Sequence, residues 1–305
     1  MLSVILPSYN EEKMISAAAG TLSAILDEAG NCHELIFDYD GSRDKTWAEI
    51  ESAAKNNSRV IGVHFSRNFG KEAAMFAGLE QAEGDCCVVI DCDLQHPPEK
   101  IVEMYRLWEE GYEVIEGIKE DRGDESALHR FAANSFYSLI SRATGMDMSS
   151  SSDFKLLDRK VVDTLNQMPE RNVFFRALSF WVGFKKTSVS YCVQERTAGE
   201  SKWSTRSLIK YAVTNIASFS SAPLHIVTVL GFIMLGIAVI FGGVSLTQKI
   251  MGVALGGFTT VILLLLLTGS IMMISLGIIG FYLARIYDEL KGRPRYIVSK
   301  VCKGE

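Results

Sequence analysis

Between Lys210 and Arg285 the chain carries one formally charged side chain, Lys249. Residues 226–248 are uncharged and rich in Ile, Val, Leu, Gly and Phe. Residues 250–284 are uncharged throughout and include "VILLLLLTGSIMMISLGIIGFYLA". A helix that crosses a bilayer needs roughly 20 apolar residues, and both runs reach that length. So long a charge-free stretch cannot fold as the surface of a soluble domain. It predicts two transmembrane helices, at about 226–248 and 256–284. Neither lies at the N-terminus, so neither reads as a secretory signal.

Two spans put the segments on either side of them on one face of the membrane. The loop around Lys249 carries one cation, whereas "RIYDELKGRPRYIVSKVCK" carries six. Positive residues favour the cytoplasmic side, so the expectation is a multi-pass protein of the cytoplasmic membrane, with residues 1–203 and the basic tail 285–305 in the cytoplasm. Residues 1–210 hold 24 Lys and Arg against 33 Asp and Glu, a net −9. The six cysteines include no CxxC pair, as expected of packing thiols in a reducing compartment. Residues 204–222 present apolar positions on one face and Arg206 and Lys210 on the other. They read as an amphipathic helix that lies at the membrane interface or else packs on the domain.

The first 120 residues alternate between two periods. "SVILPSY", "HELIFDYD", "RVIGVHFS", "DCCVVIDCD" (85–93) and "YEVIEG" read as strands. The amphipathic runs between them read as helices. This alternation predicts an α/β domain, a mostly parallel sheet with helices on both faces. Residues 126–183 read mainly as helices, with a late strand in "KKTSVSYCV". Ligands of such sheets sit beyond the carboxyl ends of the strands. "PSYNEE", "DYDGSRD", "SRNFGKE" and "DCDLQHPPE" fall at four such ends and should converge on one crevice.

Within the crevice, Asp91 and Asp93 are read as alternate residues of a strand, projecting to one side. Two neighbouring carboxylates repel unless a cation lies between them. Hard oxygen ligands suit Mg²⁺ or Mn²⁺, which commonly bridge a carboxylate and substrate phosphates. The pair can also be read as two solvated aspartates that cap the next helix. Rival sites lack their signatures: there is no GxGxxG after the first strand, no Walker A sequence and no GxSxG, and five scattered histidines make no imidazole metal site.

Six stretches occur in an order that resembles the family 2 glycosyltransferases: "ILPSYNEE", "DGSRDKT", "SRNFGKEAAMFAGLEQAEGD", "VVIDCDLQHPPE", "SSDFKLLDRKVVD" and "ERTAGESKWS". The likeness is strongest to polyprenyl-phosphate glycosyltransferases, the bactoprenol glucosyltransferases and dolichol-phosphate mannose synthases, and extends over about residues 1–300. It implies a GT-A fold, a hexosyltransferase activity and a Mg²⁺ or Mn²⁺ cofactor. Pro7, Tyr9 and Glu11 would line the nucleoside pocket, with Tyr9 against the base, and Asp40 would hydrogen-bond the base. Asp91 would lie near ribose and metal, and Asp93 and Gln95 would ligate the metal. Asp153 would act as base or orient the acceptor. Arg196, Ser201 and Lys202 would close over the donor phosphates, and Arg122 and Arg130 would meet the lipid phosphate.

The expected reaction is inverting transfer of a sugar, glucose foremost, from a UDP-sugar to undecaprenyl phosphate, for modification of a cell-surface glycan. Transfer of mannose or an N-acetylhexosamine, or a catalytically silent membrane scaffold, stays open as an alternative. The expected partners are the donor, the polyprenyl phosphate, the bilayer and further copies of the chain, as in tetrameric relatives; nucleic acid is not among them. The processive polysaccharide synthases of this fold carry Q-x-x-R-W, which is missing here. Three positions depart from the family pattern. Asp38 and Tyr39 stand where an apolar residue and Asp or Asn are usual, and Lys155 stands where Arg is usual.

Overall fold

Leu2–Ser8 is buried along nearly its whole length and forms β1, the central strand of the sheet. The structure is a computed structural model and describes residues 1–120, 152–171, 174–192, 222–252 and 257–304. After β1 come α1 (Ile15–Glu28), β2 (His33–Tyr39), α2 (Thr46–Asn56), β3 (Val60–Phe65), α3 (Lys71–Gln81), β4 (Cys86–Val89), α4 (Glu99–Glu109) and β5 (Val114–Lys119). Next are β6 (Lys155–Asp158), α5 (Arg159–Gln167), α6 (Phe175–Trp181), β7 (Lys186–Tyr191), α7 (Ala222–Ile250), α8 (Phe258–Leu290) and β8 (Val298–Lys303). The chain divides into two compact units, Met1–Thr205 with Arg293–Glu305, and Arg206–Gly292.

The first unit is built on one eight-stranded sheet in the order β7-β5-β6-β4-β1-β2-β3-β8. β3, β2, β1 and β4 run parallel, as the strand–helix alternation requires. β6 runs antiparallel to β4 and β5, and β8 antiparallel to β3. From β1 the chain steps outward to β2 and β3, then returns to place β4 on β1's other side. The carboxyl ends of β1 and β4 therefore flank the switch point where open α/β sheets bind ligands. Helix α3 lies against β1 and β2 through small residues, Ala73, Ala74, Ala77 and Gly78, all buried. At Gly78 a Cβ would come within 2.4 Å of both Ile5 Cγ2 and Asp38 Oδ2, so only glycine allows this approach.

Three sequence expectations change. The fourth strand ends at Val89, not Asp93, because its ladder with β1 stops at Ile5–Val89 and the chain then turns, with Leu94 at φ 55°. "KLLD" is a strand, β6, inside a region expected to be mainly helical; α5 begins only at Arg159, where Asp158 accepts the Lys160 N–H as N-cap. The tail contributes β8, which covers the β3 edge.

In the second unit, α7 and α8 contain stretches of 24 and 27 residues, Val227–Ile250 and Leu264–Leu290, long and apolar enough to cross a membrane. Their large side chains are exposed, Phe232, Leu265 and Met273 among them. Proteins in water rarely expose apolar surface on this scale. The amphipathic segment expected over 204–222 lies outside the described residues, save Ala222.

Candidate active site

The loops that leave the parallel strands are tied to one another in sequence order. After β1, Asn10 adopts φ 56°; its N–H meets Ser42 Oγ (3.0 Å) and its Oδ1 accepts the Arg43 N–H (2.9 Å). Glu11 N–H donates to Thr46 Oγ1 (2.9 Å), and Glu12 accepts the Lys45 N–H (3.0 Å). The loop after β2 is fixed in turn to the loop after β3. Gly41 has φ +62°, and a Cβ there would lie 2.5 Å from the Asn68 backbone nitrogen, so this turn requires glycine on both counts. The four strand ends expected to converge do so, and Pro7, Tyr9 and Glu11 stand at the β1 end of the crevice with Tyr9 exposed.

Asp40, expected at the base, is buried at 3% exposure. Its Oδ1 accepts the Phe69 N–H (2.6 Å) and its Oδ2 the Gly70 N–H (2.9 Å), while its carbonyl accepts from Asn68 (2.9 Å). Burial pushes its pKa up, partly offset by those two N–H donors. Asp40 thus shapes the turn that launches α3, and the first residue of α3 is Lys71.

Lys71 is not among the residues that the sequence singles out, yet it joins two that are. Its Nζ lies 2.6 Å from Asp91 Oδ1 and 3.0 Å from Asp153 Oδ2. Asp153 is also gripped by Arg176, Nε to Oδ1 at 2.7 Å and Nη2 to Oδ2 at 2.9 Å. Though burial opposes ionisation of Asp153, the two cations outweigh it and hold the carboxyl well below its ordinary range. A carboxylate so held is a poor proton acceptor and a good organiser of cations. Asp153 does not cap the helix that follows, since β6 separates it from α5, whose N-cap is Asp158.

Around this centre the packing is aromatic and buried. His96 stacks on Phe154 (5.0 Å, 18°) and meets Tyr191 edge-on (5.4 Å), bracing the loop after β4 against the residue next to Asp153. Lys155, 2% exposed, pairs with Glu116 (3.0 Å) and donates to Ser179 Oγ (2.8 Å); Glu116 also accepts the Ser152 N–H. The lysine that stands where arginine is usual is thus paired and hydrogen-bonded, which offsets the cost of burying its charge. Tyr39 is also absorbed by packing: its ring stacks on His64 (4.5 Å) beside Trp47, and its hydroxyl donates to the Ser42 carbonyl (2.9 Å).

Asp91, Asp93 and Gln95 succeed one another in the turn after β4. They do not share a strand face, because the strand has ended. Asp93 Oδ1 accepts the Gln95 N–H (3.1 Å), and Leu94 between them holds a left-handed conformation that costs a non-glycine residue on the order of 1 kcal/mol. Asn10 and Leu94 are the two described non-glycine residues with positive φ, and both flank the switch point. Among the described residues no three His, Cys, Asp or Glu side chains cluster as a cage. The donor set expected from the sequence, Asp91, Asp93 and Gln95, is two carboxylates and an amide oxygen. That fits a Mg²⁺- or Mn²⁺-type ion that completes its shell with water and phosphate oxygens. Arg122, Arg130, Arg196, Ser201 and Lys202 lie outside the described residues.

Residues 3–165 match the model of the family described as glycosyl transferase family 2. The chain is 39% identical over 300 residues to the uncharacterized glycosyltransferase YkcC of Bacillus subtilis (98% of this chain, 93% of the relative). It is 36% identical over 304 residues to a prophage bactoprenol glucosyl transferase homolog of Escherichia coli, covering 99% of each. Among solved structures, glucosyl-3-phosphoglycerate synthase from Mycobacterium tuberculosis, in complex with Mn²⁺, UDP and phosphoglyceric acid, matches with TM-score 0.54 at 20% identity, over 71% of this chain and 76% of that one. This likeness establishes the fold as GT-A. With its site at the GT-A switch point and family-level identity along nearly its whole length, the chain is a glycosyltransferase and belongs to glycosyl transferase family 2.

Proposed function

We propose that this membrane-associated glycosyltransferase moves glucose from UDP-glucose to undecaprenyl phosphate at the cytoplasmic face, with inversion at the anomeric carbon. The observation that carries the acceptor is the extent of the likeness. The relatives named bactoprenol glucosyl transferases match at 34–36% identity over 98–99% of this chain, through both apolar helices as well as the catalytic unit. The same-side arrangement of catalytic unit and tail is supported by β8, which comes after the apolar helices yet pairs with β3.

In this reading Tyr9, with Pro7 and Glu11, faces the nucleoside, and Asp40 shapes the adjoining turn. Arg196, Ser201 and Lys202 meet the donor phosphates, and Arg122 and Arg130 the lipid phosphate. Asp91, Asp93 and Gln95 would hold a divalent cation, whose charge would stabilise the departing diphosphate. The nucleophile is an oxygen of the acceptor phosphate. Its second pKa is about 6, so it is largely ionised at neutral pH and needs no strong base. Asp153 orients Lys71 and Arg176, whose charges balance the incoming anion. The new C–O bond forms on the face opposite the breaking bond to UDP.

Membranes containing the protein, incubated with labelled UDP-glucose, undecaprenyl phosphate and Mn²⁺, should yield a label that partitions into organic solvent as the β-linked glucosyl lipid. Asp93→Asn should abolish that product with unchanged circular dichroism. Transfer from another sugar nucleotide alone would replace glucose in the proposal; no lipid-soluble product from any donor would overturn it.

A further inference from the structure

Lys71 and the proposed divalent cation claim the same carboxylate. Nζ lies 2.6 Å from Asp91 Oδ1, inside the space that a cation on that oxygen would occupy. Two positive charges drawn to one carboxylate repel, so each weakens the other's hold on it. Lys71 has somewhere to go. Its side chain is 42% exposed, its ammonium group rides on a flexible four-carbon stem, and its second partner, Asp153 Oδ2, lies 3.0 Å away. Its Cα does not need to move, because the turn before α3 is fixed by Asp40 through Phe69 and Gly70. Asp153 stays in place too, since Arg176 grips both of its oxygens.

We infer that Lys71 is a placeholder cation: it neutralises Asp91 until the cation-bearing donor arrives, is displaced from that oxygen, and then, still held by Asp153, presents its ammonium group to the acceptor phosphate. The inference rests on the proposed metal–donor reading and adds an order to it. The Lys71 contact to the acceptor becomes available only once the donor's cation is seated, so the lipid phosphate is held more tightly after the donor than before it.

Removing the lysine should move two affinities in opposite directions. The full-length protein in nanodiscs would be titrated with Mn²⁺ alone, free Mn²⁺ being read by electron paramagnetic resonance, and the acceptor and donor KM would be measured separately. Lys71→Gln should bind Mn²⁺ about fivefold more tightly than wild type, because a competing charge is gone. It should raise the KM for undecaprenyl phosphate about tenfold and leave the donor KM no higher. Lys71→Arg, which keeps the competing charge, should bind Mn²⁺ as wild type does. A lysine with only a structural role would give weaker binding of both ligands on removal. Unchanged or weaker Mn²⁺ binding by Lys71→Gln, beside normal binding by wild type, overturns the placeholder role. An unchanged acceptor KM overturns the transfer to the acceptor. No Mn²⁺ binding by the wild-type protein overturns the metal reading itself, and this inference with it.

Discussion

Arg176 holds Asp153 with two parallel bonds, Nε to Oδ1 at 2.7 Å and Nη2 to Oδ2 at 2.9 Å. The fork leaves Lys71 as a third cationic contact on the same carboxylate. Such a group stays ionised through the whole working range, since its folded pKa lies below that of the unfolded chain. Asp153→Asn should therefore lower kcat/KM by about a hundredfold or more at every pH from 5 to 9, the scale at which loss of electrostatic organisation is felt. The wild-type pH–rate profile should show no limb in that range that disappears with the mutation. Arg176→Lys, which keeps charge and loses the fork, should be intermediate, at about tenfold.

Glu72 lies next to Lys71 in α3 and accepts the Phe175 N–H at 2.8 Å. Burial, reinforced by the nearby Asp153 charge, pushes its carboxyl up to about 7. Between the ordinary glutamate value and about 7 the folded chain holds a proton that the unfolded chain has released. Stability should fall as pH rises through that window and level off above it. Glu72→Gln should flatten the change, which is on the order of 3 kcal/mol, in thermal melts recorded between pH 4.5 and 8.

The parts of the site that are legible in the sequence are those carried by local order. A strand end can be placed from its own residues, so alternation alone brings the four loops together. The signal for Lys71 is present too, as a cation at the start of α3 within "SRNFGKE", one of the four strand-end motifs. Arg176 has no such signal. It stands 23 residues beyond Asp153, in a stretch without a motif, and only the fold brings the two together. β6 and β8 escape the sequence for a related reason. A four-residue strand has no period long enough to read, and a charged segment that covers a sheet edge looks like a tail. The face-sharing of Asp91 and Asp93 presumes an extended chain, and the strand ends two residues before Asp91.

Asp38 is buried in the core at a cost. It is fully buried, and neither carboxyl oxygen has a hydrogen-bond partner among the described residues. Burial alone pushes its pKa well above the ordinary range, so the group contributes least to stability as pH rises. Asp38→Val suits a strand and removes two unsatisfied polar atoms. It should stabilise the protein by on the order of 1–3 kcal/mol at neutral pH, seen as a higher Tm, with a smaller loss of stability between pH 5 and 8 than wild type.

β8 covers what would otherwise be an open sheet edge on β3, and its side-chain ties differ in kind. Lys300 pairs with Glu51 at 2.6 Å and lies over Trp47, but the pair is roughly half exposed, at 51% and 38%. Exposed ion pairs are worth about 0–1 kcal/mol, so Lys300→Ala should shift Tm little. Ser299 and His64 make a closer connection: Ser299 Oγ donates to the His64 carbonyl (2.9 Å) and lies 2.7 Å from His64 Nδ1. The backbone approach is decided at Gly62, where a Cβ would come within 2.5 Å of Ile50 Cγ2 and 2.7 Å of Cys302 Sγ. Gly62→Val must therefore displace α2 or β8, at about 1–3 kcal/mol for overpacking. If the strand is what gives way, the freed β3 edge can pair with another chain. The variant should then show both a lower Tm and faster cleavage within residues 297–303 under limited proteolysis, whereas Lys300→Ala should show neither.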